Sequence, residues 1–268
     1  MLKLFKAFVL FCLASLNLHS ATFLYDDLTT GYVSGNLVGQ NGWLQTGTTA
    51  TSPIQYSTDK VIVGPTGQDI YKAFTTQVVK ANVSTLYTRI DFSVVTAQAT
   101  GDYFFSLSDP AGSSSNFYQR LFVRSTLGGF NLGLQSTSGT GAVTVWGTSV
   151  YTLNSLLTVV VAWDMVPGGL NDTFSLYVNP VFSDRSLLTT ELQSNWNSTT
   201  GTEPSTTISS LNLRQGSNTT APTTYVEALW VGDTLLDVGV IPEPNSFSLL
   251  ALGFIAIMCI ETLRRRNE

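Results

Sequence analysis

Histidine and cysteine are nearly missing from this chain, and their positions thin them further. His19 is the sole histidine, and Cys12 and Cys259 are the two cysteines. All three stand near the ends, so residues 21–241 contain neither. Without them the middle of the chain cannot build a Ser-His-Asp triad, a cysteine nucleophile or an ordinary zinc centre. It cannot be stapled by disulfides either, and must be held by a hydrophobic core, which a domain of that length can supply. Charge is also scarce, at 12% of residues. The middle carries eight basic and fifteen acidic side chains, a balance of −7. That sign argues against nucleic acid or an anionic membrane surface as partner. No Gly-rich phosphate loop, fixed-period repeat, Pro-rich linker or charge block interrupts the middle. Its length allows one β domain or two small ones.

Apolar and polar residues alternate by two along much of the middle. Leu86, Thr88, Ile90, Phe92 and Val94 share one face of a strand, and Tyr87, Arg89, Asp91 and Ser93 the other. Phe130, Leu132 and Leu134 repeat the pattern after Gly128-Gly129, as do Phe174, Leu176 and Val178. Further strands are expected over 61–63, 71–79, 103–108, 118–124, 143–147, 156–164, 208–214 and 224–231. Turn signals such as Asp109-Pro110-Ala111-Gly112 and Pro167-Gly168-Gly169 separate them. Short strands between turns predict an all-β, antiparallel sandwich over 22–240. Leu156–Trp163 is almost continuously apolar, as a central strand covered on both sides would be.

The two ends read differently. Lys3 and Lys6 precede an apolar stretch, Ala7 to Leu16, and small residues follow near Ser20-Ala21. This order predicts a secretory signal peptide over 1–21, cut after Ser20 or Ala21. At the other end Ile241-Pro242-Glu243-Pro244 is extended and helix-breaking. An uncharged run, Phe247–Ile260, follows, and Arg264, Arg265 and Arg266 come next, just before Asn267-Glu268. As a helix to Leu263 the run would span roughly 25 Å at about 1.5 Å per residue, the short end of what crosses a bilayer. A transmembrane helix over about 246–263 is therefore expected, with the arginines cytoplasmic and the body outside. A buried C-terminal helix is the bland alternative, but this run is apolar all round.

That order of blocks resembles the PEP-CTERM sorting signal of bacterial envelope proteins. The resemblance implies that Pro242, Glu243 and Pro244 are recognised by a membrane-embedded, transpeptidase-like sorting enzyme, exosortase, and that Arg264–Arg266 retain the precursor. Ile241 stands where Val is commoner in that family, and Glu261 intrudes before the arginines. A second resemblance covers most of the middle. Tyr25-Asp26-Asp27-Leu28, Asn41-Gly42-Trp43, Thr66-Gly67-Gln68-Asp69-Ile70-Tyr71, Tyr103-Phe104-Phe105, Tyr177-Val178-Asn179-Pro180, Leu213-Arg214-Gln215-Gly216 and Glu227-Ala228-Leu229-Trp230-Val231-Gly232 look like jelly-roll domains carried by PEP-CTERM proteins of Verrucomicrobia-like bacteria. The fold implied is the concanavalin A/laminin G-like sandwich. These are strand and turn signatures and carry no chemistry.

The reactions open to such a body are few. A glycosidase needs two facing carboxylates, and the glutamates of the middle are Glu191, Glu203 and Glu227. No Glu-x-Asp occurs, so the one-strand pair of sandwich glycosidases is absent, and a dyad would have to come from aspartates. Calcium is the candidate cofactor, with Asp164, Asn171 and Asp172 flanking one loop. Turn-capping by the same residues beside Gly168-Gly169 is the plainer reading. Trp43, Trp146 and Trp196 lie near turn-rich sequence and are the candidate ligand-facing aromatics, since bare rings stack on sugar faces. They would otherwise cap the ends of the sandwich. Trp163 and Trp230 sit in apolar strands and are expected in the core. The expected protein is an exported, non-catalytic envelope or matrix protein associated with exopolysaccharide. A carbohydrate-binding module, with or without calcium, and a weak glycosidase are the alternatives.

Overall fold

The alternating segments form strands, and the strands form two sheets. The computed structural model describes residues 21–48, 51–137, 142–166, 171–181, 184–195 and 206–240. Residues 1–20 and 241–268 lie outside the described residues, and with them Pro242, Glu243, Pro244 and Arg264–Arg266. Among the described residues no helix is long and apolar enough to cross a membrane. Their helical content is two single 3₁₀ turns, Lys80–Asn82 and Arg185–Leu187.

In chain order the strands are β1 (Thr22–Asp26), β2 (Gly35–Asn36), β3 (Trp43–Thr46), β4 (Gln55–Tyr56), β5 (Val61–Val63), β6 (Asp69–Val79), β7 (Thr85–Thr96) and β8 (Asp102–Ser108). Then come β9 (Phe117–Thr126), β10 (Gly129–Thr137), β11 (Val145–Trp146), β12 (Leu157–Asp164), β13 (Thr173–Val178), β14 (Leu192–Asn195), β15 (Thr207–Leu213) and β16 (Thr223–Gly232). One sheet runs β14-β13-β12-β7-β16-β5-β4-β2, with β1 also on β16; the other runs β11-β10-β9-β8-β15-β6-β3. Every pairing between these strands is antiparallel.

One apolar core lies between the sheets. Leu86, Ile90, Phe92 and Val94 of β7 face Phe104, Phe105 and Leu107 of β8 and Leu121 and Val123 of β9 within it. Phe92 and Phe104 meet across the layer with ring centroids 4.9 Å apart. Each such side chain, fully buried, contributes about 1.5–3 kcal/mol. Thr88, on the same face of β7, donates to Gln119 Oε1 (2.9 Å), and Gln119 Nε2 donates to the Val161 carbonyl (3.1 Å). Gln119 is fully buried and has φ +51°, so a local irregularity of β9 turns it inward as a polar tie between the sheets.

The apolar run 156–163 becomes β12, paired on both sides by β7 and β13. Val159, Val161 and Trp163 enter the main core, while Val160 and Ala162 face outward. There Leu235, Val238 and Val240 cover them together with Tyr87 and Tyr177, forming a second cluster. The strand is therefore apolar on both faces because the C-terminal segment roofs its outer face.

Candidate functional site

Both tryptophan side chains that lie deepest are fixed by the same device. Trp43 has no exposed surface, and its Nε1 donates to Asp26 Oδ2 (3.2 Å) and Tyr32 Oη (3.1 Å). Asp26 also accepts from Lys72 Nζ (2.7 Å) and the Leu28 amide (3.0 Å). Trp43, expected to face a ligand, is therefore a core residue, because its single polar atom has a buried carboxylate to reach. Trp163 likewise donates to Asp172 Oδ2 (2.9 Å), which also takes Lys80 Nζ (2.9 Å), while Oδ1 takes the Val166 amide (2.9 Å). Trp230, expected in the core, is instead half-buried on the outside of the larger sheet under Arg89, 4.2 Å from the ring centroid. Trp196 lies outside the described residues.

The expected calcium ligands are engaged otherwise. Asp172 is saturated as above, and both Asp164 oxygens pair with the Arg185 guanidinium, with Thr85 and Thr173 also donating. Burial pushes the Asp164 carboxyl up, but the Arg185 fork and the two hydroxyls outweigh it and hold it below the usual carboxylate range. Asn171 is exposed. Among the described residues no three His, Cys, Asp or Glu side chains group closely enough to hold a metal ion. Glu191 accepts from Ser149 Oγ (2.8 Å), Glu227 is on β16, and Glu203 lies outside the described residues.

A shallow cleft of about 420 Å³ on the outside of the larger sheet is lined by Tyr87, Asp184, Arg185, Asp233, Thr234 and Leu235. Its charged groups have internal work. Arg185 serves Asp164 and Tyr177 Oη (2.7 Å), Asp184 caps the 3₁₀ turn through Ser186, and Asp233 Oδ1 accepts the Ala21 amide at 2.9 Å. The cleft is a seam where both ends of the described chain are stitched down.

The outside of the seven-stranded sheet is different. Register places Tyr103 of β8, Phe122 of β9, Gly133 of β10 and Trp146 of β11 side by side in one row, opposite to the core-facing Leu121 and Val123. Phe122 lies 5.3 Å from Tyr103 and 6.1 Å from Trp146 between ring centroids, and Phe117, also on β9, has its ring 6.1 Å from Tyr103. Gly133 makes the seat for the indole, since a Cβ there would stand 2.7 Å from the Trp146 ring; one on Gly101 would meet it at 2.7 Å as well. Trp146 is thus the candidate tryptophan that the structure does place on an outer face, half-buried.

Arginines lie over this row. Arg124 Cζ sits 4.3 Å from the Trp146 centroid, and Arg120 Cζ lies 4.9 Å from Tyr103 and 5.6 Å from Phe122. Arg214, next after β15, stands 4.3 Å from the other approach to Tyr103 and pairs with Asp102 (2.9 Å). Burial holds the Arg120 guanidinium below its ordinary range, with Tyr103 opposing that shift and the like charge of Arg214 adding to it. Arg120 Nη2 donates to the Thr137 carbonyl (2.7 Å), but its Nε is buried without a partner, as is Oε1 of its cross-strand neighbour Gln135. The stripe Arg120-x-Phe122-x-Arg124 on one face of a predicted strand is the signal that could have found this surface.

No family model and no curated protein sequence matches the chain. Solved structures do resemble it in fold. The botulinum neurotoxin serotype D/C VPI 5993 binding domain gives a TM-score of 0.50 at 10% identity, over 82% of this chain and 51% of that one. The CBM2 module of Lactobacillus casei BL23 phage J-1 evolved Dit gives 0.48 at 12%, over 80% and 96%. The Emp47p carbohydrate recognition domain gives 0.46 at 11%, over 81% and 96%. This chain spans about half the length of the toxin structure. At such identities the likeness is one of fold, an antiparallel sandwich of two sheets.

Proposed function

We propose that this protein is an exported glycan-binding protein that presents the outside of the seven-stranded sheet to extracellular polysaccharide. The observation that carries the reading is the row Trp146–Phe122–Tyr103 with its overlying arginines, on a sheet face away from the core. A row of rings with hydrogen-bonding groups above it follows an extended sugar chain better than it grips a small molecule. The neighbours whose names include a carbohydrate-binding module or recognition domain share the fold alone, and the reading does not rest on them.

The ends supply the delivery. The signal peptide takes the body out of the cytoplasm, and the Pro242-Glu243-Pro244 block with its apolar run and arginines hands it to an exosortase-like enzyme at the membrane. The mature protein then resides in the cell envelope or the extracellular matrix. Intact-mass measurement of protein from a host with the sorting enzyme is expected to show residues 247–268 removed; retention of Arg264–Arg266 would refute the sorting step. Affinity electrophoresis against a panel of polysaccharides tests the binding step. Retardation by at least one polymer, abolished by Trp146→Ala in a folded protein, is expected, and no retardation by any polymer would refute it.

A further inference from the structure

Resting on that glycan-binding reading, we infer that the ligand is an anionic polysaccharide, held through its carboxylates or sulfates by Arg120 and Arg124. A neutral sugar stacks on a bare ring, and these rings are not bare. Each of Trp146, Phe122 and Tyr103 has a guanidinium over it within 4.3–5.6 Å of its centroid. What an arriving chain meets first is a set of N–H donors. Stacking leaves the in-plane donors of Arg124 available, whereas Arg120 has spent Nη2 on the Thr137 carbonyl and offers its remaining terminal N–H groups; a guanidinium fork matches carboxylate and sulfate geometry.

The charges of these arginines set them apart. Five arginines occur between residues 21 and 240. Arg89 is answered by Asp91 and two carbonyls, Arg185 by Asp164, and Arg214 by Asp102. Among the described residues no carboxylate lies in ion-pair range of Arg120 or Arg124. Arg89 shows that stacking on a tryptophan does not require this: it covers Trp230 on the opposite side of the molecule and is paired all the same. The surrounding body is acidic, so these two cations, with no ion pair among the described residues, are a local reversal of sign.

Spacing selects the size of the ligand. Arg120 and Arg124 are four residues apart on one strand, about 13 Å between Cα atoms. A single acidic sugar satisfies one of them; a polymer carrying charge at intervals satisfies both.

The test compares polygalacturonate with the same polymer after reduction of its carboxyls, with dextran and with inorganic polyphosphate, using the purified full protein and calorimetry at several salt concentrations. Polygalacturonate is expected to bind, with affinity falling as salt rises. Carboxyl reduction is expected to weaken binding about tenfold or more, as are Arg120→Gln and Arg124→Gln singly. Arg124→Lys, which keeps the charge and loses the fork, should fall between. Should Arg120→Gln fail to fold, Arg124→Gln on the rim of the row decides alone. Equal, salt-insensitive binding of the native and reduced polymers, lost in Trp146→Ala, would overturn the anionic class while leaving glycan binding standing. Binding to none of these, while another polysaccharide of the wider panel is still retarded, would overturn the anionic class alone. Polyphosphate bound as tightly as polygalacturonate, with the same arginine dependence, would overturn the assignment to a sugar.

Discussion

Asp26 and Asp172 perform one task at two places. Each accepts an indole N–H, a lysine ammonium and a backbone amide, so a buried carboxylate, a buried cation and a tryptophan satisfy one another. Removing the charge from one member weakens the pairing of the others. Asp172→Asn is expected to destabilise the protein by about 3 kcal/mol, read from urea unfolding. Asp164 gives a second expectation, with a pH sign. Its carboxyl is held below the usual range, so its contribution is present above that range and lost as pH falls through the folded value. Asp164→Asn should cost about 1–3 kcal/mol at neutral pH. The wild-type and variant stabilities should converge in acid. Neither triad was legible in the sequence. Trp43 sits among turn residues, and nothing nearby announces that Asp26 and Lys72 will close on it from 17 and 29 positions away. The loop position of Asp164 and Asp172 pointed to calcium, whereas the folded chain brings Arg185 and Lys80 to them.

Alternation predicts the longer strands well because a buried face writes itself into every second residue. β7, β9, β12 and β16 lie within a few residues of expectation. The two-residue strands β2 and β4 had no such pattern to read, being too short to repeat one. Gln119 escaped for another reason, since an irregular register breaks the period there. The row of rings is assembled by pairing rather than by spacing. Arg120, Phe122 and Arg124 are readable on β9, but Tyr103, Trp146 and Gly133 join them only once β8, β10 and β11 are in register. Net charge hid the same feature, because a sum of −7 does not say where the exceptions cluster. Gly133→Val tests the row as a unit. Its side chain must displace the Trp146 ring, so polymer binding should be lost while the thermal midpoint falls by only about 2–4 °C.

At the scale of the molecule, β1 and β16 bind the beginning of the body to its end. The Ala21 amide reaches Asp233 Oδ1, and the Asp233 amide returns to the Ala21 carbonyl at 3.2 Å. Burial pushes the Asp233 carboxyl up, against the pull of the Ala21 amide and with Asp237 adding to it. If the signal is cut after Ser20, an α-ammonium replaces that amide and meets a carboxylate. A chain beginning at Ala21 should then be more stable, by up to about 1 kcal/mol, than the same chain acetylated there. The ammonium's folded pKa is raised by its partner. The gain is therefore full below the ordinary α-amino range of about 7.7–8.0 and fades as pH rises through the folded value. Matched thermal unfolding of the two forms at pH 6 and pH 10 checks this, and no difference at pH 6 would refute the pairing.

The last described residues, Leu235 to Val240, lie flat against the outside of the nine-stranded sheet, whereas the stacked arginines stand on the far side of the other sheet. A tether leaving from Val240 would therefore start on the face opposite to Arg120 and Arg124. On the glycan-binding proposal, such a tether would not cover the face that a polymer must reach.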